Sequence, residues 1–335
     1  MDPRLLAFLT VAILTTVLFW LAVTAVIWVP FLILWSPFLV AVALVVYFTP
    51  LRGVVYKVYL QAYDWLFYKS SVARKLLWQG FYDFASWYHQ DPELTCLNYG
   101  YALLNEDGKT LDFMKDHSEI FPIQLYHAVF QGRAKEVKAK KIVEVGAGRG
   151  GGLNFVAKHM EPAQAVGVDL SSSNVTFASN TFRDQKNLMF VNGDAENLLG
   201  VEGFDKDSFD FALNVESSHC YPNIDAFFAG VRDLLKPDGR FFFTDFRDRE
   251  GIKQLEQQLN RFFEVEKRED ITKNVLHALK LDNQRRLKLI YARAPRVLVP
   301  LMRKFAGVEG SRMFQEFESN ESLYIAYVLK KKKQD

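Results

Sequence analysis

Four short polar clusters, each at the end of an apolar run, hold the side chains that could do chemistry. Gly146, Gly148, Gly150 and Gly151 crowd together directly after the run 141–145. Glycines there permit a tight turn and let a ligand approach the backbone closely. Gly146, Gly148 and Gly151 match the GxGxxG spacing of dinucleotide loops, so spacing alone leaves the ligand open. Glu144 tilts the choice, because a carboxylate suits a cationic amine and would repel a pyrophosphate. Asp169 closes the next run and could accept hydrogen bonds from both hydroxyls of a ribose; the bland alternative is a helix cap. In Asn192–Asn197, Asp194 and the Ala195 amide could read an adenine edge, with a plain turn as the alternative. In Asn214–Pro222, Glu216, His219 and Tyr221 are expected to face a reacting group. A neutral histidine near its usual pKa is a natural base for a hydroxyl, although a lone histidine more often serves packing.

Positioning these clusters requires strands that end on one side of a sheet. Strands are expected at 141–145, 165–169, 188–191, 209–215, 240–245, 262–267 and 322–329. Helices are expected at 153–159, 173–183, 224–235 and 251–260, with 120–138 and most of 271–305 also helical. This alternation predicts an α/β fold with a parallel, Rossmann-like sheet covered by helices on both faces. Asn105–Gly108 and Pro237–Gly239 read as turns.

The front of the chain has a different texture. Between Arg4 and Arg52 no side chain ionises except tyrosine, and 5–29 is long enough to span a bilayer. Pro30 and Pro37 interrupt the run, so a transmembrane hairpin and a single span are both compatible with it. The run is much longer than the core of a cleaved signal peptide. Arg52, Lys57, Lys69, Arg74 and Lys75 follow, and positive flanks stay on the cytosolic side. The expected layout is an anchor at 1–50, an amphipathic interfacial region at 51–90 and a catalytic domain at 91–335. Within that domain the ligand-binding core is 140–246 and a helical acceptor cap is 270–310. The chain is thus expected to be an integral membrane protein with a cytosolic catalytic domain. A net charge of +2 gives no field for nucleic acid. Cys96 and Cys220 form no metal-ligand pair, and no metal site is expected.

The glycine loop, Gly167–Ser171, Asn192–Asn197 and Leu235–Gly239 occur in the order seen in class I S-adenosylmethionine-dependent methyltransferases, which the chain resembles over about 142–245. Leu97–Tyr101, Leu125–His127, Asn214–Pro222, Phe305–Gly310 and Glu321–Tyr324 extend a closer resemblance to phthiotriol/phenolphthiotriol dimycocerosates methyltransferases over roughly 91–330. Those enzymes O-methylate a lipid. The resemblance implies S-adenosylmethionine as cofactor and a hydrophobic lipid, polyketide or sterol-like acceptor. It assigns cofactor binding to Glu144, Gly146, Ala147, Gly148, Gly150, Asp169, Leu170, Asp194, Ala195 and Asn214. It assigns catalysis to His219, Glu216 and Tyr221, and capping of the pocket to Tyr99, Tyr126, His127 and the 271–305 helices. The apolar front lies outside the resemblance, and 199–206 is expanded. Carbon or nitrogen acceptors stay open beside oxygen. An NAD-dependent lipid reductase would need a Tyr-x-x-x-Lys or comparable pair after the fourth strand, which is absent. A noncatalytic cofactor-binding scaffold is the remaining alternative.

Overall fold

The computed structural model describes residues 94–332, apart from 106, 107, 109, 110, 112, 113, 115, 295, 297 and 298. The chain divides into two compact units, Met1–Ser70 and Ser71–Asp335, and every described residue lies in the second. The expected anchor and interfacial region lie outside the described residues. Among the described residues, no helix is long and apolar enough to cross a membrane.

Seven strands form one sheet: β1 (Lys141–Val145), β2 (Gln164–Asp169), β3 (Leu188–Asn192), β4 (Phe209–Val215), β5 (Leu235–Asp248), β6 (Phe263–Asp270) and β7 (Ser322–Lys331). Their order is β3-β2-β1-β4-β5-β7-β6. Among the described residues the helices are α1 (Ile120–Ala128), α2 (Gly151–His159), α3 (Ser172–Thr181), α4 (Ile224–Leu234), α5 (Arg249–Phe262), α6 (Thr272–Arg293), α7 (Val299–Phe305) and α8 (Arg312–Glu318).

Side-chain alternation splits the core between the two faces of the sheet. Phe242, Tyr324, Ala326 and Val328 join α1, α2, α6 and α8 on one face. Phe241, Phe243, Ile325, Tyr327 and Leu329 join α4 and α5 on the other. All three consecutive phenylalanines of β5 are fully buried, as a strand covered on both sides requires. Burial of each contributes about 1.5–3 kcal/mol.

The expected all-parallel sheet needs correction. β7 runs antiparallel to both β5 and β6 and inserts between them. Three helices separate β6 from β7, so no single crossover helix imposes a parallel return. The turn at Pro237–Gly239 is absorbed into β5 as an irregularity opposite Phe209–Phe211. The expected 120–138 helix stops at Ala128, because Gln131 and Gly132 take left-handed conformations (φ 48° and 89°). The 271–305 helix breaks at Ala294, extended at ψ 135°, because Pro295 disfavours helix in the residue before it. At 105–108, Gly108 N donates to Asn105 Oδ1 (2.8 Å), as the turn reading expects.

Candidate active site

The carboxyl ends of β1, β2 and β4 open onto one cleft. Gly146, Ala147, Gly148, Asp169, Leu170, Asp194, Ala195, Glu216, His219 and Tyr221 all line it. The strand order reverses beside β1, which puts the cleft at the usual ligand crevice of such sheets.

The glycine loop is shaped by close neighbours. Gly146, Gly148 and Gly150 have φ of 76°, 55° and 80°, which other residues rarely adopt. A Cβ on Gly146 would collide with Ser217 Oγ and Tyr221 Oη. One on Gly152 would collide with the Tyr126 ring. Asp169 accepts Gly148 N on Oδ2 (2.8 Å), and Ser171 N (2.9 Å) and Asn174 Nδ2 (3.2 Å) on Oδ1. Ser171 caps α3, its hydroxyl accepting Asn174 N. Asp194 Oδ1 accepts Glu196 N (3.0 Å), so it shapes the turn as well as lining the cleft.

Three expected ligand residues do not line the cleft. Gly150 precedes α2, where Phe190 and Ala178 leave no room for a side chain. Asn214 is buried; its amide donates to Val145 O and Ser217 Oγ (both 2.7 Å), pinning β1 to the loop after β4. Glu144 is also buried, and Oε1 accepts Tyr126 Oη (2.8 Å). Glu144 Oε2 finds no hydrogen-bond partner among the described residues. Burial raises the Glu144 pKa to about 8; the Tyr126 bond opposes this and the Asp169 charge adds to it. The expected carboxylate is therefore an acid at neutral pH.

A stability signature follows. The folded pKa lies above the ordinary value of 4.5, so folding takes up a proton between the two. That stabilisation is complete at low pH and is lost as pH rises toward about 8. Unfolding midpoints of wild type should therefore fall between pH 5 and pH 8 relative to Glu144→Gln, whose side chain stays neutral. Parallel curves would mean that Glu144 is already ionised in the fold.

At the other end of the cleft, Glu216 adopts a left-handed φ of 51°, a strained conformation that often marks function. Its Oε2 accepts Tyr99 N (2.8 Å) and Tyr324 Oη (2.7 Å). Burial raises its pKa to about 7, with those two bonds and His219 opposing the rise and Asp245 adding to it. His219 Nδ1 sits 2.9 Å from Asp245 Oδ1, and its ring lies 4.8 Å from that of Phe246. Asp245 is fully buried and also accepts Ser218 Oγ (2.5 Å), His219 N (3.0 Å) and Phe246 N (2.8 Å). Arg247 Nη1 adds an ion pair at 3.2 Å. Burial opposes ionisation of Asp245, but Arg247, His219 and these bonds hold its pKa far below the usual range. Burial also disfavours a charged His219, but neighbouring Cys220 and Asp245 raise its pKa well above the ordinary value. The expected neutral imidazole is therefore replaced by an ion pair with Asp245. Sequence reading passed over Asp245, although its place at a strand end was the available signal.

Tyr221 lies at the glycine-loop end. Its hydroxyl is 2.9 Å from Ser217 Oγ and its ring packs 4.9 Å from Phe227. Tyr99, Phe246 and Phe305 wall the Glu216 end. His127 is exposed in the last turn of α1 and lines no part of the cleft. Among the described residues of the 271–305 region, Phe305 alone reaches the lining.

Residues 94–99 form a strap along the cleft, with Thr95 through Tyr99 in its lining. Buried Glu119 accepts Thr95 N, Thr95 Oγ1 and Cys96 N at 2.5–3.1 Å. Arg149 Nε donates to Leu94 O (2.6 Å), and its guanidinium lies 3.6 Å from the Phe177 ring centre. From α6, buried Arg286 donates to Asn98 O (3.1 Å), Tyr99 O (3.0 Å) and Ala306 O (3.0 Å), and pairs with Asp282 (2.9 Å). The Arg286–Asp282 pair gives no local sequence signal, because an i,i+4 pair usually faces water. Arg286→Met should lower stability by about 3 kcal/mol, since it breaks a buried ion pair, leaves Asp282 to Arg285 alone and frees the strap carbonyls. Adding Asp282→Leu should recover part of the loss in urea midpoints; no recovery would mean that the strap contacts carry the whole effect.

Comparison with known proteins agrees with this arrangement. A methyltransferase domain model matches residues 143–243. Phthiotriol/phenolphthiotriol dimycocerosates methyltransferase of Mycobacterium tuberculosis is 30% identical over 267 residues, covering 78% of this chain and 94% of that protein. Fatty-acid O-methyltransferase of Mycolicibacterium smegmatis is 37% identical over 178 residues, covering 53% of this chain and 62% of that protein. Among solved structures, a cyclopropane synthase from Mycobacterium tuberculosis superposes with TM-score 0.56 at 15% identity, covering 74% of this chain and 94% of that one. A likeness at that identity shows the fold alone. By the near-complete coverage at 30% identity, the chain belongs to the S-adenosylmethionine-dependent methyltransferases, in the family of the phthiotriol/phenolphthiotriol dimycocerosates methyltransferases.

Proposed function

We propose that the protein is a membrane-anchored lipid O-methyltransferase whose acceptor is a hydroxyl on a hydrophobic molecule. The observation that carries this reading is the single cleft joining the Asp169 end to Glu216, His219 and an aromatic wall. The relatives named for phthiotriol and fatty-acid substrates support a lipid class of acceptor. The apolar front of the chain supports an acceptor that resides in a bilayer.

S-adenosylmethionine supplies a methyl group already activated on a sulfonium, so the chain's task is positioning and proton removal. The residues fit that ligand: Asp169 offers a carboxylate for a ribose, Asp194 and the Ala195 amide offer an adenine edge, and the glycine loop keeps side chains away. Glu216 takes the proton of the acceptor hydroxyl, since a carboxyl near pKa 7 is poised for general-base work at neutral pH. His219, held as a cation by Asp245, orients the acceptor oxygen. Tyr99, Phe246 and Phe305 hold the apolar body of the acceptor.

One observation favours a second reading. The His219 cation suits an acceptor that is already anionic, such as a fatty-acid carboxylate, whose methylation needs no base. His219→Ala separates the two. For a hydroxyl acceptor it should cost roughly 10–100-fold in kcat/KM, one hydrogen bond to a charged group, and move the pH midpoint upward without abolishing it, because His219 lowers the Glu216 pKa. For a carboxylate acceptor the loss should fall on KM. A loss together with disappearance of the pH dependence would make His219 itself the base.

The function is tested by incubating host membranes with labelled S-adenosylmethionine and separating organic and aqueous phases. Label in the organic phase that requires the protein supports the lipid reading, and label confined to the aqueous phase overturns it.

A further inference from the structure

We propose that the outer face of α6, together with the loop carrying Leu103 and Leu104, is a docking surface for an anionic lipid bilayer. The proposal rests on the membrane-anchored reading and specifies the face by which the catalytic unit meets lipid.

The outer face of α6 is both cationic and apolar. The helix has 22 residues, about 33 Å at 1.5 Å per residue. Lys273, Lys280, Leu281, Gln284, Lys288 and Tyr291 recur at helical spacing and are all exposed. The sole acid of α6 is Asp282, buried on the opposite side against Arg285 and Arg286. Tyr291 is 59% exposed, with Arg303 Nη1 of α7 donating to its hydroxyl at 3.4 Å.

The apolar part continues onto the neighbouring loop. Leu104 is 63% exposed, and Leu103 and Leu281 are each 38% exposed. This loop is pinned along α6. Ala102 N donates to Asn274 O (3.2 Å), Asn274 Nδ2 donates to Ala102 O (2.9 Å), and His277 Nε2 lies 2.8 Å from Asn105 O. Glu318 of α8 approaches Lys280 at 3.3 Å, but an exposed pair of this kind holds the lysine only weakly.

The combination selects the partner. Each lysine within about a Debye length of an anionic leaflet is attracted to it. Leucines and a tyrosine beside the lysines suit the boundary between headgroups and chains, where amphipathic helices lie. A purely basic strip would fit nucleic acid equally well, and a purely apolar one would fit another protein. The inner face of α6 holds the strap through Arg286, and Leu97 of that strap is 38% exposed at the cleft. A bilayer on the outer face would thus lie on the helix that supports the acceptor wall.

The test uses the full-length protein in nanodiscs of phosphatidylcholine alone or mixed with phosphatidylglycerol. A nitroxide on Gln284→Cys reports depth through collisions with oxygen and with a water-soluble nickel relaxant. Wild type, with Cys96 and Cys220, sets the background. The label should sit at interfacial depth in the anionic discs and in water in the neutral ones. A label on Lys253→Cys, on the solvent side of α5, should stay aqueous in both. Lys273→Glu, Lys280→Glu and Lys288→Glu together should return the Gln284→Cys label to water with an unchanged unfolding midpoint. A label that is aqueous in anionic discs overturns the proposal. So does one shielded from both relaxants whatever the lipid, which would mean protein covers the face. If the protein fails to enter discs, the anchor reading falls by itself, and the same label on phosphatidylglycerol vesicles still decides the docking.

Discussion

Asp169→Ala is expected to abolish measurable methyl transfer. The side chain closes β2 and lines the cleft. Its two oxygens latch the glycine loop through Gly148 N and the α3 cap through Ser171 N. A carboxylate at this place also serves as acceptor for ribose hydroxyls. Hydrogen bonds to a charged group contribute roughly 1.5–3 kcal/mol each, so losing two weakens cofactor binding about 10²–10⁴-fold. Asp169→Asn separates the two contributions. It preserves size and one acceptor oxygen, which can keep the Gly148 latch while its amide group faces Ser171, and cofactor affinity should still fall. Equilibrium binding of S-adenosylmethionine reads the affinity, and labelled methyl in the organic phase reads the turnover. Normal binding by Asp169→Ala would remove Asp169 from the cofactor site and reopen the choice of cofactor.

The sequence made the cofactor end of the cleft legible because its determinants are local. A strand, a run of glycines and a helix are contiguous, and the 141–145 and 209–215 strands match β1 and β4 in full. The same locality explains what stayed hidden. β7 pairs with β5 from about 80 positions away: Thr244 faces Ala326, and no periodicity encodes that its direction is reversed. Tyr221 was grouped with Glu216 and His219 by proximity in sequence. The short helical turn Ser218–Cys220 between them instead sends its hydroxyl back toward Gly146 and Ser217. Glu144 follows the strand's alternation into the buried layer beside Tyr126, so its burial depends on a residue 18 positions earlier. Asp245 and Arg286 were missed for the same reason. Each organises atoms from distant segments, and apart from the strand-end place of Asp245 nothing beside them in sequence announces that role.

Glu216→Gln is expected to lower kcat by roughly 10²–10⁴-fold with a hydroxyl acceptor, the usual range for loss of a general base. The pH profile makes the assignment specific. A base works only when deprotonated, so the wild-type rate should rise with pH through about 7 and level off above it. Glutamine cannot titrate, so the variant should lose that limb as well as rate. Its neutral amide oxygen also accepts Tyr99 N and Tyr324 Oη more weakly than the carboxylate Oε2 does, and a structural loss must be separated from a catalytic one. Tyr324→Phe does so. The Tyr324 hydroxyl stabilises the ionised form of Glu216, and its removal should raise the Glu216 pKa. The limb should then move to higher pH, with the plateau rate recovered once Glu216 ionises. A structural role would lower the plateau and leave the midpoint in place. An anionic acceptor would need no base, and the limb would be missing from wild type itself. The three outcomes differ in the position of one titration, which makes the pH profile of Tyr324→Phe the sharper experiment.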